Sequence, residues 1–185
     1  YISIYRLMTV ITVGGPPGSG TSTVCGILKE RTGFKYVYAG KIFRKMAKDE
    51  GKSLEEFQRI CEKDPSIDIE LDRKMLDKAK SGEDLILEGR MIGPLCKKES
   101  IPSFKVYIFA DTGIRARRLV ERDGGSMEAV IEKMKERERS EAKRYMTYYG
   151  MDPGDLSLYD LAIDSSHLSP EEEVSLILEH LDGFS

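Results

Sequence analysis

Apolar, β-branched residues fill Val10-Ile11-Thr12-Val13 and stop at Gly14-Gly15-Pro16-Pro17. That pattern predicts a short buried strand running into a turn. Helical spacing follows from about Thr21 to Thr32, with Val24, Ile27 and Leu28 on one face and Gly33 as its stop. Phe34 to Tyr38 alternates like a second strand, and 40–80 reads as polar helix interrupted at Gly51 and at Asp64-Pro65. Asp84 to Leu87 is a third apolar run, ending in Glu88-Gly89-Arg90. Phe104 to Ala110 is a strand with almost no polar face, and Asp111-Thr112 is expected to cap a helix reaching Arg122. Asp123-Gly124-Gly125 breaks that helix, Ser126 to Tyr149 is a charged one, and Tyr159 to Ile163 is the last strand. Ser169-Pro170 opens the final helix, with Pro at its first position and acids in its first turn.

Five short apolar strands alternating with helices imply an α/β fold, a parallel sheet covered on both faces. The polar helices of 40–80 and the charged helices of 123–149 fit such a core poorly, so each reads as an insertion at the functional edge of the sheet. No repeat or low-complexity linker interrupts the chain.

A chain of 185 residues, 40% hydrophobic and 33% charged, suits one soluble domain with a proper core. No stretch is long and apolar enough to span a bilayer. YISIYRLM reads as no signal peptide; Met8 reads as an internal start, and residues 1–7 are assigned no function. Cys25, Cys61 and Cys96 are odd in number and lack CxxC spacing, which points to reduced thiols in the cytoplasm. His167 and His180 are the only imidazoles and read as surface residues rather than zinc ligands. A net charge of −3 argues against a nucleic-acid partner. The cations nevertheless cluster: ten Lys and Arg lie between Ile114 and Tyr145, and none follows Asp164. Arginine clusters suit phosphate, because a planar guanidinium grips two oxygens at once.

The strongest chemical signal is Gly15-Pro16-Pro17-Gly18-Ser19-Gly20-Thr21-Ser22, continued by Thr23, between a strand and a helix. It follows the P-loop spacing of Gly, four residues, Gly, then Lys and Ser or Thr, except that Thr21 takes the lysine position. Such a loop turns successive N–H groups onto phosphate oxygens, and the helix start adds its positive end. The candidate ligand is ATP, with Ser22 placed to hold Mg²⁺. An ordinary glycine-rich turn is the plainer alternative. Glu88, at the carboxyl edge of its strand, can hold Mg²⁺ or its water shell; as a bare residue it also fits a solvated turn. Arg118, Arg122, Arg137 and Arg144 come from segments able to close over phosphates, although Glu and Lys alternate there as on any solvated helix. No convincing general base appears. A phosphate acceptor needs none, being already a nucleophile near neutral pH, and catalysis then reduces to positioning and charge neutralisation.

With those residues assembled, the chain resembles the nucleoside monophosphate kinases, and among them the archaeal-type cytidylate kinases. GGPPGSGTST looks like that subgroup's phosphate loop, where threonine commonly replaces the lysine. YAGKIFR at 38–44, LEGR at 87–90, the stretches 115–123 and 136–145, and LSLYDL at 156–161 are similar to further family segments. The resemblance runs from Met8 to the end. It implies a P-loop kinase with a core of 8–38, 82–121 and 150–185, a monophosphate-binding insertion at 39–81 and a lid at 122–149. It also implies transfer of the γ-phosphate of ATP to CMP, and to dCMP. Arg44 and Arg90 would hold the acceptor phosphate, Arg137 and Arg144 would reach the transferring phosphoryl, and Glu141 would contact the ribose. Arg118 and Arg122 would lie over the ATP phosphates, and Gly40 would let the monophosphate-binding insertion pack close to the base. The expected partners are small-molecule nucleotides, with no membrane and no second subunit. Two readings compete: a kinase for another monophosphate or small molecule, and a nucleotide-dependent switch protein. An alcohol acceptor would want a general base, and a switch would want a residue orienting water; neither declares itself.

Overall fold

The computed structural model describes residues 9–184, so the readings of Met8 and residues 1–7 lie outside it. Five strands form one sheet: β1 (Val10–Gly14), β2 (Lys35–Tyr38), β3 (Leu85–Glu88), β4 (Phe104–Phe109) and β5 (Leu161–Asp164). Eight helices connect and cover them: α1 (Thr21–Thr32), α2 (Ala39–Asp49), α3 (Leu54–Cys61), α4 (Pro65–Ala79), α5 (Ile92–Lys98), α6 (Thr112–Asp123), α7 (Met127–Tyr149) and α8 (Pro170–Asp182). The strand order is β2-β3-β1-β4-β5 and every pairing is parallel. β1 is therefore central, and the chain leaves it towards β2 on one side before returning to build β4 and β5 on the other. That reversal opens a crevice at the carboxyl end of β1, where α/β sheets bind ligands.

The expected α/β sheet is thus present, and its two buried faces explain the unbroken apolar runs. Ile11, Val13, Ile86, Val106 and Ile108 pack under α1 and α8, with Cys25 among them. Val10, Leu85 and Leu87 face α4 and α5, with Cys96. Phe57 and Cys61 sit in a small third cluster with Phe43 and Met46, where the two rings stand 5.0 Å apart. Part of the two polar stretches is core after all: Met75, Leu76 and Ala79 of α4 and Tyr145 of α7 pack with the second cluster. Among the described residues no helix is long and apolar enough to cross a membrane.

Two local expectations need correction, and one helix lies where none was assigned. Helix α5 occupies a stretch to which the apolar pattern assigns no element; Pro94 lies in its first turn, where its missing N–H costs nothing. Gly93 is required there, since a Cβ would stand 3.1 Å from both Thr12 Oγ1 and the Tyr159 ring. Asp111 precedes α6 but its side chain caps nothing; its own N–H donates to Ser166 Oγ at 3.0 Å. The last strand begins at Leu161: Asp160 still donates its N–H to Lys105 O at 2.8 Å, but its carboxylate replaces a main-chain carbonyl as the returning acceptor. That carboxylate accepts from Lys105 N at 2.7 Å and stands 2.9 Å from Lys105 Nζ, neutralising a lysine buried in the apolar β4.

Lys105 is buried but Asp160 is exposed, so removing the carboxylate is expected to cost about 1.5 kcal/mol, the worth of one charged hydrogen bond, with the Ser103 carbonyl still accepting from Lys105. Asp160→Ala is therefore expected to lower the urea midpoint by an equivalent amount with an unchanged denaturant slope. A change within about 0.5 kcal/mol, the range of an ordinary surface substitution, would show that Lys105 reaches water.

Candidate active site

β1 delivers the chain to Gly15, and Gly15–Gly20 curls back into α1. Each glycine has a steric reason. A Cβ on Gly15 would lie 2.1 Å from Ile108 O, and one on Gly18, at φ 80°, would lie 2.6 Å from Arg115 O. Gly20 stands at the N-cap of α1 with φ 96°, and neither a capping side chain nor a first-turn acid covers that end. Helix α1 thus presents its positive terminus to the crevice, as an anion site requires.

The loop is braced from outside. Ser19 N and Oγ both donate to Pro16 O, at 3.2 and 2.7 Å. Arg118 donates to Ser19 O at 3.3 Å and to Ser165 O at 2.7 Å, while Ser165 Oγ donates to Ser19 O at 3.0 Å. Arg115 donates to Pro17 O at 3.1 Å and pairs with Glu138 at 2.5 Å. Arg90 Nη1 donates to Gly15 O. Behind Arg118, at the start of α8, Glu173 is buried with Oε2 lacking any hydrogen bond. Burial pushes its pKa up to about 7, against the opposing pull of Arg118.

Glu88 is buried at the tip of β3. Its Oε1 accepts from Thr21 Oγ1 at 2.7 Å and Ser22 Oγ at 2.8 Å, and the Tyr36 hydroxyl donates to Oε2. Thr21, at the lysine position, thus serves the acid rather than supplying a cation. Burial, then the hydrogen bond and charge of Glu88, hold the Tyr36 phenol protonated far above its ordinary range. Among the described residues no cluster of three or more His, Cys, Asp or Glu could grip a metal. The Ser22 hydroxyl and Glu88 carboxylate are still a fitting donor set for Mg²⁺, which takes one or two protein oxygens and fills its shell with phosphate and water.

A second group of charges lines the other wall. Glu141 of α7 lies between Arg90 Nε, 3.0 Å from Oε2, and Arg137 Nε, 2.8 Å from Oε1. Burial pushes its carboxyl up, but Arg90, Arg137 and Arg144 outweigh that and hold it below the usual carboxylate range. Arg144 Nε donates to Asp68 Oδ2 of α4 at 2.8 Å, and its Nη1 donates to Ser140 Oγ. One turn further along α4, Asp72 accepts from the Tyr149 hydroxyl at 2.8 Å, and burial pushes its pKa up to about 7.

The structure therefore brings Thr21, Ser22 and Glu88 together, and Arg90, Glu141 and Arg137. It places Arg118 on the loop's carbonyls and Arg144 on Asp68. Arg122 is exposed and paired with its neighbour Asp123. The Arg44 guanidinium lies 5.2 Å over the Tyr38 ring, and the space above Gly40 belongs to that ring, since a Cβ there would stand 2.5 Å from Tyr38 Cζ. Tyr36, Arg115, Ser165 and Asp68 had no individual signal: their roles arise from contacts distant in sequence. The i,i+4 spacing of Arg137 and Glu141 was the one visible hint of a pair.

Residues 10–167 match the profile of the cytidylate kinase-like family. The cytidylate kinase of Methanopyrus kandleri is 42% identical over 186 residues, covering 97% of this chain and 96% of that one. The cytidylate kinase of Pyrococcus abyssi is 45% identical over 173 residues, 94% of this chain and 93% of its own. Among solved structures, an uncharacterized protein from Eubacterium ventriosum superposes with a TM-score of 0.73 at 19% identity, over 95% of this chain and 99% of its own. Shikimate kinase from Acinetobacter baumannii gives 0.62 at 14% identity, over 95% and 94%. At such low identity the last two establish the P-loop kinase fold alone.

The Asp72 carboxyl yields a test with a definite sign. Its folded pKa is raised from 3.8 to about 7, so the folded chain keeps a proton the unfolded chain has lost. Stability then falls as pH rises through that window. Asp72→Asn, uncharged and similar in shape, is expected to melt above the native chain at pH 8 and to lose its lead by pH 4. A lead that ignores pH would mean that Asp72 is ionised in the fold.

Proposed function

The chain belongs to the cytidylate kinase-like family, and on that premise we propose that it transfers the γ-phosphate of ATP to CMP, and to dCMP, giving CDP or dCDP and ADP. The observation carrying this reading is the juxtaposition of two walls. One is a glycine loop feeding an uncapped helix start beside Glu88; the other is the Arg90–Glu141–Arg137 line. A triphosphate on the first and a monophosphate on the second would meet end to end.

In this reading backbone amides of Gly15–Ser22, with Thr23 behind them, cradle the donor phosphates. Ser22 and Glu88 would hold Mg²⁺, which supplies charge neutralisation across the phosphates when bound. Arg90 and Arg44 take the acceptor phosphate, and Glu141 takes its ribose. Tyr38 would have to leave the space above Gly40 for a base to lie there. Arg137 and Arg144 turn towards the phosphoryl in flight, while Arg118 and Arg122 approach the donor from the far side. The acceptor phosphate attacks unaided, so the arrangement of cations and hydroxyls without a placed base fits the chemistry. Segment 39–81 acts as the acceptor-binding unit and 122–149 as the lid that excludes water. The missing lysine is replaced by lid arginines, among them Arg137, which shares Glu141 with Arg90. The reading extends to a monomer in the cytoplasm, where three reduced thiols are at home, serving pyrimidine nucleotide metabolism.

The test is ADP release from the purified chain with ATP and magnesium, offered CMP, dCMP, UMP, AMP and GMP in turn. Release is expected with CMP and dCMP. Release without any acceptor would instead mark a nucleotide-dependent switch. Arg137→Ala should lower kcat by roughly 10²-fold or more, as loss of a charge-stabilising arginine does in phosphoryl transfer. If Arg122→Ala and Arg137→Ala both kept near-normal turnover, the lysine's role lies elsewhere.

A further inference from the structure

Four charged side chains form a line leading away from the phosphate loop. Arg90 donates to Gly15 O and stands 3.0 Å from Glu141. Glu141 shares the field of Arg144, which in this structure bonds Asp68 at 2.8 Å and would release that carboxylate on turning towards the phosphoryl. A monophosphate laid with its phosphate on Arg90 and its ribose on Glu141 would direct its base towards α4. The order of protein groups then repeats the order of ligand groups.

Asp68 is the group at the base end. It is only 5% exposed, yet Arg144 engages it through Oδ2, which leaves Oδ1 for a further donor. Burial acts on it more strongly than Arg144 compensates, so its carboxyl is held above the ordinary range. Buried carboxylates want more than one hydrogen bond. Asp72, one turn along the same helix, is engaged by the Tyr149 hydroxyl instead.

Resting on the function proposed above, we propose that Asp68 reads the acceptor's base by accepting a hydrogen bond from the 4-amino group of cytosine. Cytosine offers an N–H donor at that position, which a carboxylate accepts. Uracil offers a carbonyl oxygen there, which the same carboxylate repels. A site built around a substrate N–H discriminates strongly, because the wrong ligand leaves a buried polar group unpaired. Asp68 is in this sense a specificity residue, and its charge does no phosphoryl chemistry.

The experiment compares kcat/KM for CMP, UMP and the 4-deamino analogue of CMP (the pyrimidin-2-one nucleotide) in the native chain, Asp68→Asn and Asp72→Asn. Native protein is expected to prefer CMP to both others. In Asp68→Asn the CMP-to-UMP ratio should fall by between about 10-fold and about 100-fold, the worth of a charged hydrogen bond, because the amide can turn its NH₂ to the uracil oxygen. Asp72→Asn, on the same helix face, should leave the ratio at the native value. A merely structural role for Asp68 would lower turnover of CMP and UMP alike, and an unchanged ratio in Asp68→Asn overturns the proposal. Should that variant not fold, the native chain decides: an analogue used as well as CMP overturns it too. A native chain that ignores CMP altogether overturns the proposed function itself, and this inference with it.

Discussion

A loop that turns its amides inward must turn its carbonyls outward, and that constraint organises the molecule around the crevice. Gly15, Pro16, Pro17, Gly18 and Ser19 each expose an acceptor to the rear, and unpaired buried carbonyls are costly. The chain answers with donors from distant places: Arg90 after β3, Arg115 and Arg118 on α6, Ser165 after β5, and Ser19 itself. The sheet order brings those donors within reach, since β3 and β4 flank β1 and β5 lies next to β4. The fold is in this respect a frame that keeps five carbonyls satisfied.

The same bracing explains which parts of the molecule could be read in advance. Strand and helix positions follow from apolar periodicity and from local stops such as Gly33, whose φ of 72° ends α1 where expected. The Ser169–Glu172 capping box likewise lies wholly within its own segment. Helix α5 is only seven residues long and carries Gly93 and Pro94, so no helical periodicity marks it. Lys105 was overlooked because a charge in an apolar strand makes sense only with Asp160 beside it, 55 positions away.

The site shows the same division. Thr21, Ser22 and Glu88 could be chosen because a local motif and a strand end mark them. Their convergence on a single carboxylate, joined by Tyr36, depends on β2 lying next to β3 in register. Arginines are harder still, since the guanidiniums that grip phosphate and those that brace a backbone look alike in sequence. Arg118 occupies carbonyls in this structure, Arg144 an aspartate and Arg122 its own neighbour. Among the described residues, Arg90 and Arg137 are the arginines ion-paired with the acid expected at the ribose.

The placement of the three thiols has a practical corollary. Cys25 lies beneath one face of the sheet, Cys96 beneath the other, and Cys61 in the small cluster of α2 and α3, all fully covered. Each therefore meets an alkylating reagent only when its own layer opens, so labelling rates followed by mass spectrometry would time three separate loosening events in an otherwise native enzyme.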